Sequence, residues 1–138
     1  EEHFPYAIGL LDEFYSQVRD GDGNERWDRL AGDEIESMLF SLAGIRFAIM
    51  PQINELLLDA IYAKHVSDDA YSKVWSEVID GTQGDKSAKA SRDTRDDKYH
   101  SFFRFYIYSV ADTFMKELDK FTRLLERVRD WQVRGYRG

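Results

Sequence analysis

The sequence predicts an all-α protein: a bundle of four to five helices that ends in a long C-terminal helix. Apolar residues recur at helical spacing through most of the chain. Only two prolines interrupt the 138 residues, and runs of β-branched residues, which are typical of strands, are few. The composition, 43% hydrophobic and 33% charged, allows a buried core. We therefore expect one helical domain over residues 1–138.

Two helices are predicted in the first 50 residues. The first covers residues 4–18, with apolar side chains on one face, and the turn RDGDGN at 19–24 ends it. The second is predicted to begin with Asp33 as its N-cap, because Glu36 follows three residues later in a capping-box arrangement. Pro51 is expected to end or kink this helix, since proline lacks the N–H group and clashes with the preceding turn.

Three further helices are predicted in the rest of the chain. One continues the apolar spacing over residues 52–64, and a shorter one begins at Ser67 and stops before Gly81. The polar segment of about 81–93 is rich in Gly, Ser and Lys, which predicts a mobile loop. The last helix is predicted over about 95–133, where no residue that breaks helices occurs.

The last helix carries two apolar groups that predict an assembly surface. A 4-3-4-3 spacing in its second half is typical of a coiled-coil seam about two heptads long. Aromatic residues lie on every face of its first half, and aromatic side chains are enriched at protein interfaces. The predicted interface residues are Phe102, Phe103, Tyr106, Phe114, Leu118, Phe121, Leu125 and Val128.

Composition and charge limit the cellular setting. The chain contains no cysteine, which favours a reducing compartment, and its first residues show no secretion signal. The most apolar run, residues 38–50, is shorter than the roughly 20 residues needed to span a bilayer. We expect a cytoplasmic protein without membrane contact. The net charge of −7 is uneven, because acids dominate residues 1–80 and bases dominate residues 81–138.

Neither a metal site nor a cofactor site is predicted. Asp20, Asp22 and Asn24 fall at positions 1, 3 and 5 of a calcium-binding loop. The sixth position, however, is Glu25 where the loop needs glycine, and the twelfth is Ala31 where it needs glutamate. The histidines of the chain show no spacing typical of metal ligands.

A basic series precedes and enters the last helix. Lys86, Lys89, Arg92, Arg95 and Lys98 place a base at every third position, so that they could follow a phosphate backbone. RNA is the nucleic acid that such a series could bind. The alternative is a solubilising segment, because nearby aspartates offset part of the charge.

The segment Arg95-Asp96-Asp97-Lys98-Tyr99-His100 resembles the signature of the HEPN superfamily, small helical domains that include metal-independent endoribonucleases. The resemblance implies that His100 acts as acid and base and that Arg95 stabilises the charged phosphorane. It also implies that both line a cleft between two subunits. The alternative is structural: Thr94 and Asp97 have capping-box spacing, and acidic residues stabilise a helix N-terminus. Residues five apart on a helix point about 140° apart.

A second resemblance is to the helical subunits of the GINS replication complex. EFYSQVRD, GIRFAI and VSDDAYSKVW occur in an order similar to that family's, although Ala48 stands near the place of a basic residue. The resemblance implies a subunit of a protein complex. From these observations we expect a non-catalytic helical protein that self-associates or joins a larger complex through its C-terminal helix. The alternative is a HEPN-like ribonuclease of the defence or toxin–antitoxin type.

Overall fold

The computed structural model describes residues 3–18, 30–79 and 81–137, and every regular element in them is an α-helix. The prediction of an all-α fold with a long C-terminal helix is confirmed. The turn at 19–24 and most of the calcium-loop pattern lie outside the described residues. The four helices are α1 (His3–Val18), α2 (Gly32–Glu77), α3 (Gln83–Asp93) and α4 (Arg95–Arg137).

The chain divides into two compact units, and the expectation of one helical domain over residues 1–138 stays a prediction. Unit 1 comprises Glu1–Gln52 and Thr113–Gly138, and unit 2 comprises Ile53–Asp112. Unit 1 therefore contains α1, the first part of α2 and the second part of α4. Unit 2 contains the rest of α2, the whole of α3 and the first part of α4.

Unit 1 has a core of large apolar side chains from its three helical segments. In α2 the buried residues follow a spacing of three and four, which places them on one face of the helix. From α1, the Phe14 ring stacks on Phe121 with 6.3 Å between the ring centroids, and Tyr15 meets Phe121 edge-on at 4.6 Å. The largest fully buried side chains in the described residues are Val18, Ile35, Leu42, Ile49, Leu118, Phe121 and Leu125.

Unit 2 has a core of small side chains. Apart from Ile53, the buried side chains among its described residues are alanine, serine or threonine. Small residues let helices approach closely, but they remove little apolar surface from water. The buried residues of unit 2 are Ile53, Ala60, Ala63, Ser67, Ala90, Thr94, Ser101 and Ala111.

Helix α2 is continuous where the sequence predicted three helices. It passes through Pro51 and through Ser67, which lies buried in the helix interior and does not cap a new one. A proline inside a helix costs about 3 kcal/mol. Ile49 and Ile53, on either side of Pro51, are both buried, and their packing outweighs that cost. The N-cap prediction is wrong too: α2 begins at Gly32, so Asp33 lies in its first turn.

The prediction of a mobile loop over 81–93 is also wrong, since this segment forms the helix α3. A capping box starts the helix: Asp85 N–H donates to Thr82 Oγ1 at 3.1 Å, and Thr82 N–H donates to Asp85 Oδ2 at 3.2 Å. Ala90 anchors the helix because it is fully buried. Gly81 turns the chain into α3 with a φ of +114°, a conformation that favours glycine.

At the junction of α3 and α4, the structure differs from the capping box predicted between Thr94 and Asp97. The hydroxyl of Thr94 donates to the carbonyl oxygen of Ala90 at 2.6 Å, so it points back into α3. The capping box predicted between Thr94 and Asp97 therefore does not form through this hydroxyl. Thr94 instead ends α3, and α4 follows at once from Arg95.

Candidate functional site

The first part of α4 presents an apolar seam to solvent. Tyr99, Phe103, Tyr106 and Val110 are spaced 4-3-4, which puts them on one face of the helix. Ser101, which is buried in unit 2, lies on the opposite side of the helix. The exposed fractions of the four side chains are 60%, 57%, 66% and 54%. We call these four residues the exposed seam.

Phe102 widens the exposed seam on one flank. It is 58% exposed, and the ammonium group of Lys98 lies 5.7 Å from the centre of its ring. Three of the predicted interface residues, Phe102, Phe103 and Tyr106, are therefore accessible in this chain. The sequence prediction did not include Tyr99 and Val110 in the interface, although the 4-3-4 spacing was the signal that could have identified them.

The second half of the predicted interface has a different role. Phe114, Leu118, Phe121, Leu125 and Val128, which we call the buried seam, face the core of unit 1. Leu118, Phe121 and Leu125 are fully buried there, and Phe114 packs edge-on against Phe4 of α1 at 6.2 Å. For Leu118, Phe121 and Leu125 the expectation of an interface between chains is corrected, because unit 1 already buries them. For Phe114 and Val128, which are half-buried, it stays a prediction.

Arg95 and His100 both lie exposed in the first two turns of α4. The helix is regular from Arg95 onwards, so a separation of five residues directs the two side chains about 140° apart. Arg95 lines a shallow surface pocket of about 310 Å³, and His100 does not line it. Within one chain the helix therefore does not bring the two side chains together, and their catalytic pairing stays a prediction.

Two of the predicted nucleic-acid-binding residues are engaged away from that pocket. The ammonium group of Lys86 lies 4.9 Å from the centre of the Trp75 ring, which holds it against α2. Lys89 lines a different surface pocket, together with the carboxylates Glu77 and Asp93. The every-third spacing of the bases thus does not give one continuous ridge, because successive members turn around α3 by about 60°.

The remaining bases of the series lie together. Arg92, Arg95 and Lys98 line the 310 Å³ pocket with the rings of Tyr99 and Phe102. The guanidinium of Arg92 lies 3.8 Å from Asp93, an exposed contact that contributes little to stability. This pocket combines positive charge with aromatic surface in unit 2.

A second basic group lies in unit 1, and sequence reasoning missed it. Lys116, Lys120, Arg123 and Arg127 line one face of α4 at 4-3-4 spacing, in a pocket of about 350 Å³. Asp119 lies in the same pocket and accepts a hydrogen bond from Arg46 Nε at 2.9 Å. The spacing of these bases in the sequence was the available signal. A basic face on an exposed helix is most often only a solvated surface.

The described residues offer neither a metal-binding cluster nor a membrane-spanning helix. Among residues 3–18, 30–79 and 81–137, no cluster of three or more His, Cys, Asp or Glu side chains is arranged to hold a metal ion. No helix in those ranges combines the length and the apolar character needed to cross a membrane.

Comparison with known proteins does not place the chain in a family. No family model, no curated protein and no solved structure matches it. The fold and the chemistry of its surfaces are therefore the basis on which a function is proposed.

Proposed function

We propose that this protein is a helical assembly protein that self-associates through the exposed seam of α4. The observation that carries the proposal is the distribution of side chains in unit 2. This unit buries alanine, serine and threonine while it leaves Tyr99, Phe103 and Tyr106 more than half exposed. Large aromatic side chains gain the most from leaving water, so a surface of this kind is stabilised by a partner that covers it.

The exposed area is sufficient for a specific interface. With about 200 Å² for each aromatic side chain, the exposed fractions of the seam and Phe102 correspond to about 550 Å² per copy. Two copies would bury about 1,100 Å², which exceeds the roughly 1,000 Å² expected of a specific interface. A second copy of this chain therefore provides enough apolar surface to cover the seam.

The residues beside the seam favour a parallel pair of α4 helices. In heptad notation, Phe103 and Val110 occupy a positions and Tyr99 and Tyr106 occupy d positions. Phe102 is then a g position and Ile107 an e position, and these meet between chains when two helices run parallel in register. Both are apolar, so the pairing extends the covered surface. The resemblance to GINS-type subunits noted above also supports a role in assembly.

Equilibrium sedimentation of the full chain tests this proposal. The wild type is expected to sediment at about twice its monomer mass of 16.2 kDa, and Phe103→Glu at the monomer mass, because the substitution buries an unpaired charge in the interface. Tyr62→Glu is the matched control. Tyr62 lies on α2 of the same unit and is more exposed, at 71%. A monomeric wild type, or equal dissociation by both variants, would show that the exposed seam is not the interface.

A second candidate function is the HEPN-like ribonuclease, and one observation favours it. In the same heptad notation Arg95 is a g position and His100 is the next e position. Parallel pairing of the seam would therefore bring Arg95 of one copy beside His100 of the other. His100 could then take the proton of the RNA 2′-hydroxyl and return one to the leaving oxygen, while Arg95 offsets the phosphorane charge.

Subunit mixing tests this second function. Arg95→Ala and His100→Ala chains are each expected to lack cleavage of single-stranded RNA. A heterodimer of the two variants contains one intact site, so an equimolar mixture should recover about a quarter of wild-type activity. No cleavage by the wild type, or unchanged cleavage by His100→Ala, would remove the ribonuclease candidate and leave the assembly proposal standing.

A further inference from the structure

A cleft in unit 2 has the properties of a ligand site that is separate from the exposed seam. Its volume is about 430 Å³, within the usual range for small-molecule sites. All three helical segments of the unit contribute to it. The residues that define its chemistry are Lys64, Ser67, Tyr71, Lys98, Ser101 and Phe102.

Two serine hydroxyls that line the cleft have no hydrogen-bond partner among the described residues. Ser67 and Ser101 are 8% and 5% exposed, and neither hydroxyl makes a hydrogen bond within the described residues. In the same part of the chain, no side-chain oxygen is both fully enclosed and unpaired. Both hydroxyls therefore open into the cleft. The nearby hydroxyl of Thr94 differs, because it donates to Ala90. Hydroxyls that face a cleft and are not engaged by the protein are available to a hydrogen-bonding ligand.

The charge of the cleft favours an anionic ligand. Lys64 and Lys98 both line it, and neither ammonium group has a carboxylate within ion-pairing distance in the described residues. Asp68 also lines the cleft and lowers its net charge to +1. Ammonium groups and hydroxyls are together suited to a phosphate, and Asp68 can accept a hydrogen bond from a base amine or a sugar hydroxyl.

Aromatic rings complete the cleft and connect it to the neighbouring pocket. Tyr71, Phe102 and Phe105 offer surfaces against which a planar base can stack. Lys98 and Phe102 also line the 310 Å³ pocket, in which Arg92 and Arg95 add two positive charges. A ligand that extends from one cavity into the other would meet a second group of phosphate-binding side chains.

We propose that these two cavities bind single-stranded nucleic acid, with one phosphate at Lys64, Lys98 and the two serine hydroxyls and a base stacked on Tyr71. The next phosphate along the strand lies at Arg92 and Arg95. Of the basic series predicted from the sequence, this site uses Arg92, Arg95 and Lys98. It also uses residues of α2 that the sequence pattern did not indicate. It does not depend on self-association or on cleavage.

Fluorescence anisotropy tests the proposal. The full chain is titrated into a labelled uridine oligonucleotide of about ten nucleotides, a length that single-strand sites accommodate. Lys98→Gln is expected to weaken binding about tenfold and to lower the slope of log affinity against log salt by about 0.7. Lys98→Arg should retain binding. Ser101→Ala should weaken binding several-fold while its urea midpoint does not fall, because the hydroxyl it removes has no partner in the protein.

Lys120→Gln is the matched control, since it removes the same charge from the same helix at the basic face of unit 1. It should change the affinity less than twofold if the cleft is the site. Saturable binding that competes with unlabelled strands of RNA or DNA supports the proposal. The proposal is overturned by absent binding, by an equal loss in Lys120→Gln and Lys98→Gln, or by adenosine monophosphate or inorganic phosphate competing as well as the oligonucleotide.

Discussion

Phe121→Ala is expected to destabilise the monomer strongly, because Phe121 lies at the centre of unit 1. Its side chain is fully buried and contacts both Phe14 and Tyr15 of α1. Truncation of a buried phenylalanine removes its apolar contacts and leaves a cavity, which costs about 3–5 kcal/mol. The free energy of unfolding of a typical domain is only about 5–15 kcal/mol. The variant should therefore lose about a fifth or more of its stability.

Urea denaturation followed by far-UV circular dichroism measures this loss. Phe47→Ala is the control, because Phe47 is 86% exposed on α2 of the same unit and its truncation should change stability by less than about 0.5 kcal/mol. The reasoning is refuted if Phe121→Ala unfolds like the wild type. It is refuted equally if Phe121→Ala dissociates an oligomer without a loss of monomer stability, since the buried seam would then pair between chains.

Three further predictions concern local structure and chemistry. Pro51→Ala should raise the free energy of unfolding by about 1–3 kcal/mol, because it restores a helix hydrogen bond and removes a clash; an unchanged urea midpoint would argue against a continuous α2. Thr82→Ala should lower the free energy of unfolding by about 1 kcal/mol, because α3 loses its N-cap. Amide hydrogen exchange at residues 85–90 should become faster. Thr122→Ala is the control, since the Thr122 hydroxyl donates to Leu118 within α4 and caps no helix. Asp119→Asn should cost at most about 1 kcal/mol, because the ion pair with Arg46 is partly exposed, and a larger loss in the same denaturation assay would contradict this.

The helical class was predictable because it depends on local periodicity. The spacing of apolar residues identified α1 and the long α4, and the positive φ of Gly81 agrees with the predicted stop of the helix from Ser67. The continuity of α2 was not predictable, because the local cost of Pro51 is visible in the sequence but the packing that offsets it comes from other helices. Propensity gives way to tertiary packing at such positions.

Helix α3 was missed because its composition is typical of a loop. The signal for a helix was present in the capping box of Thr82 and Asp85 and in the small residues that follow, of which Ala90 is fully buried. The Gly, Ser and Lys content of the segment favoured a loop, but the capping box and the buried alanine stabilise a helix. The ridge of bases was predicted from their every-third spacing along the chain, whereas the structure separates Lys86 and Lys89 from Arg92 and Lys98.

The two seams of α4 show the limit of heptad reasoning. A 4-3-4 spacing predicts that a helix packs along one face, but it does not say whether the partner belongs to the same chain. Leu118 and Phe103 satisfy the same pattern, yet Leu118 is buried against its own unit and Phe103 is exposed. The cleft that Ser67 and Ser101 line could not be predicted from the sequence either. The two serines are 34 positions apart, and only the fold places both in one cavity.

Cysteine cross-linking tests the assembly through α4 most directly, because the chain has no cysteine of its own. Val110→Cys places a thiol at an a position of the exposed seam, where parallel pairing brings the two copies within the Cα separation of about 4.4–6.8 Å that a disulfide requires. Val133→Cys is the matched control, with a similar exposure of 46% against 54% on the same helix. The account predicts a covalent dimer under mild oxidation for Val110→Cys alone. Equal cross-linking of both variants, or none at Val110, would contradict it.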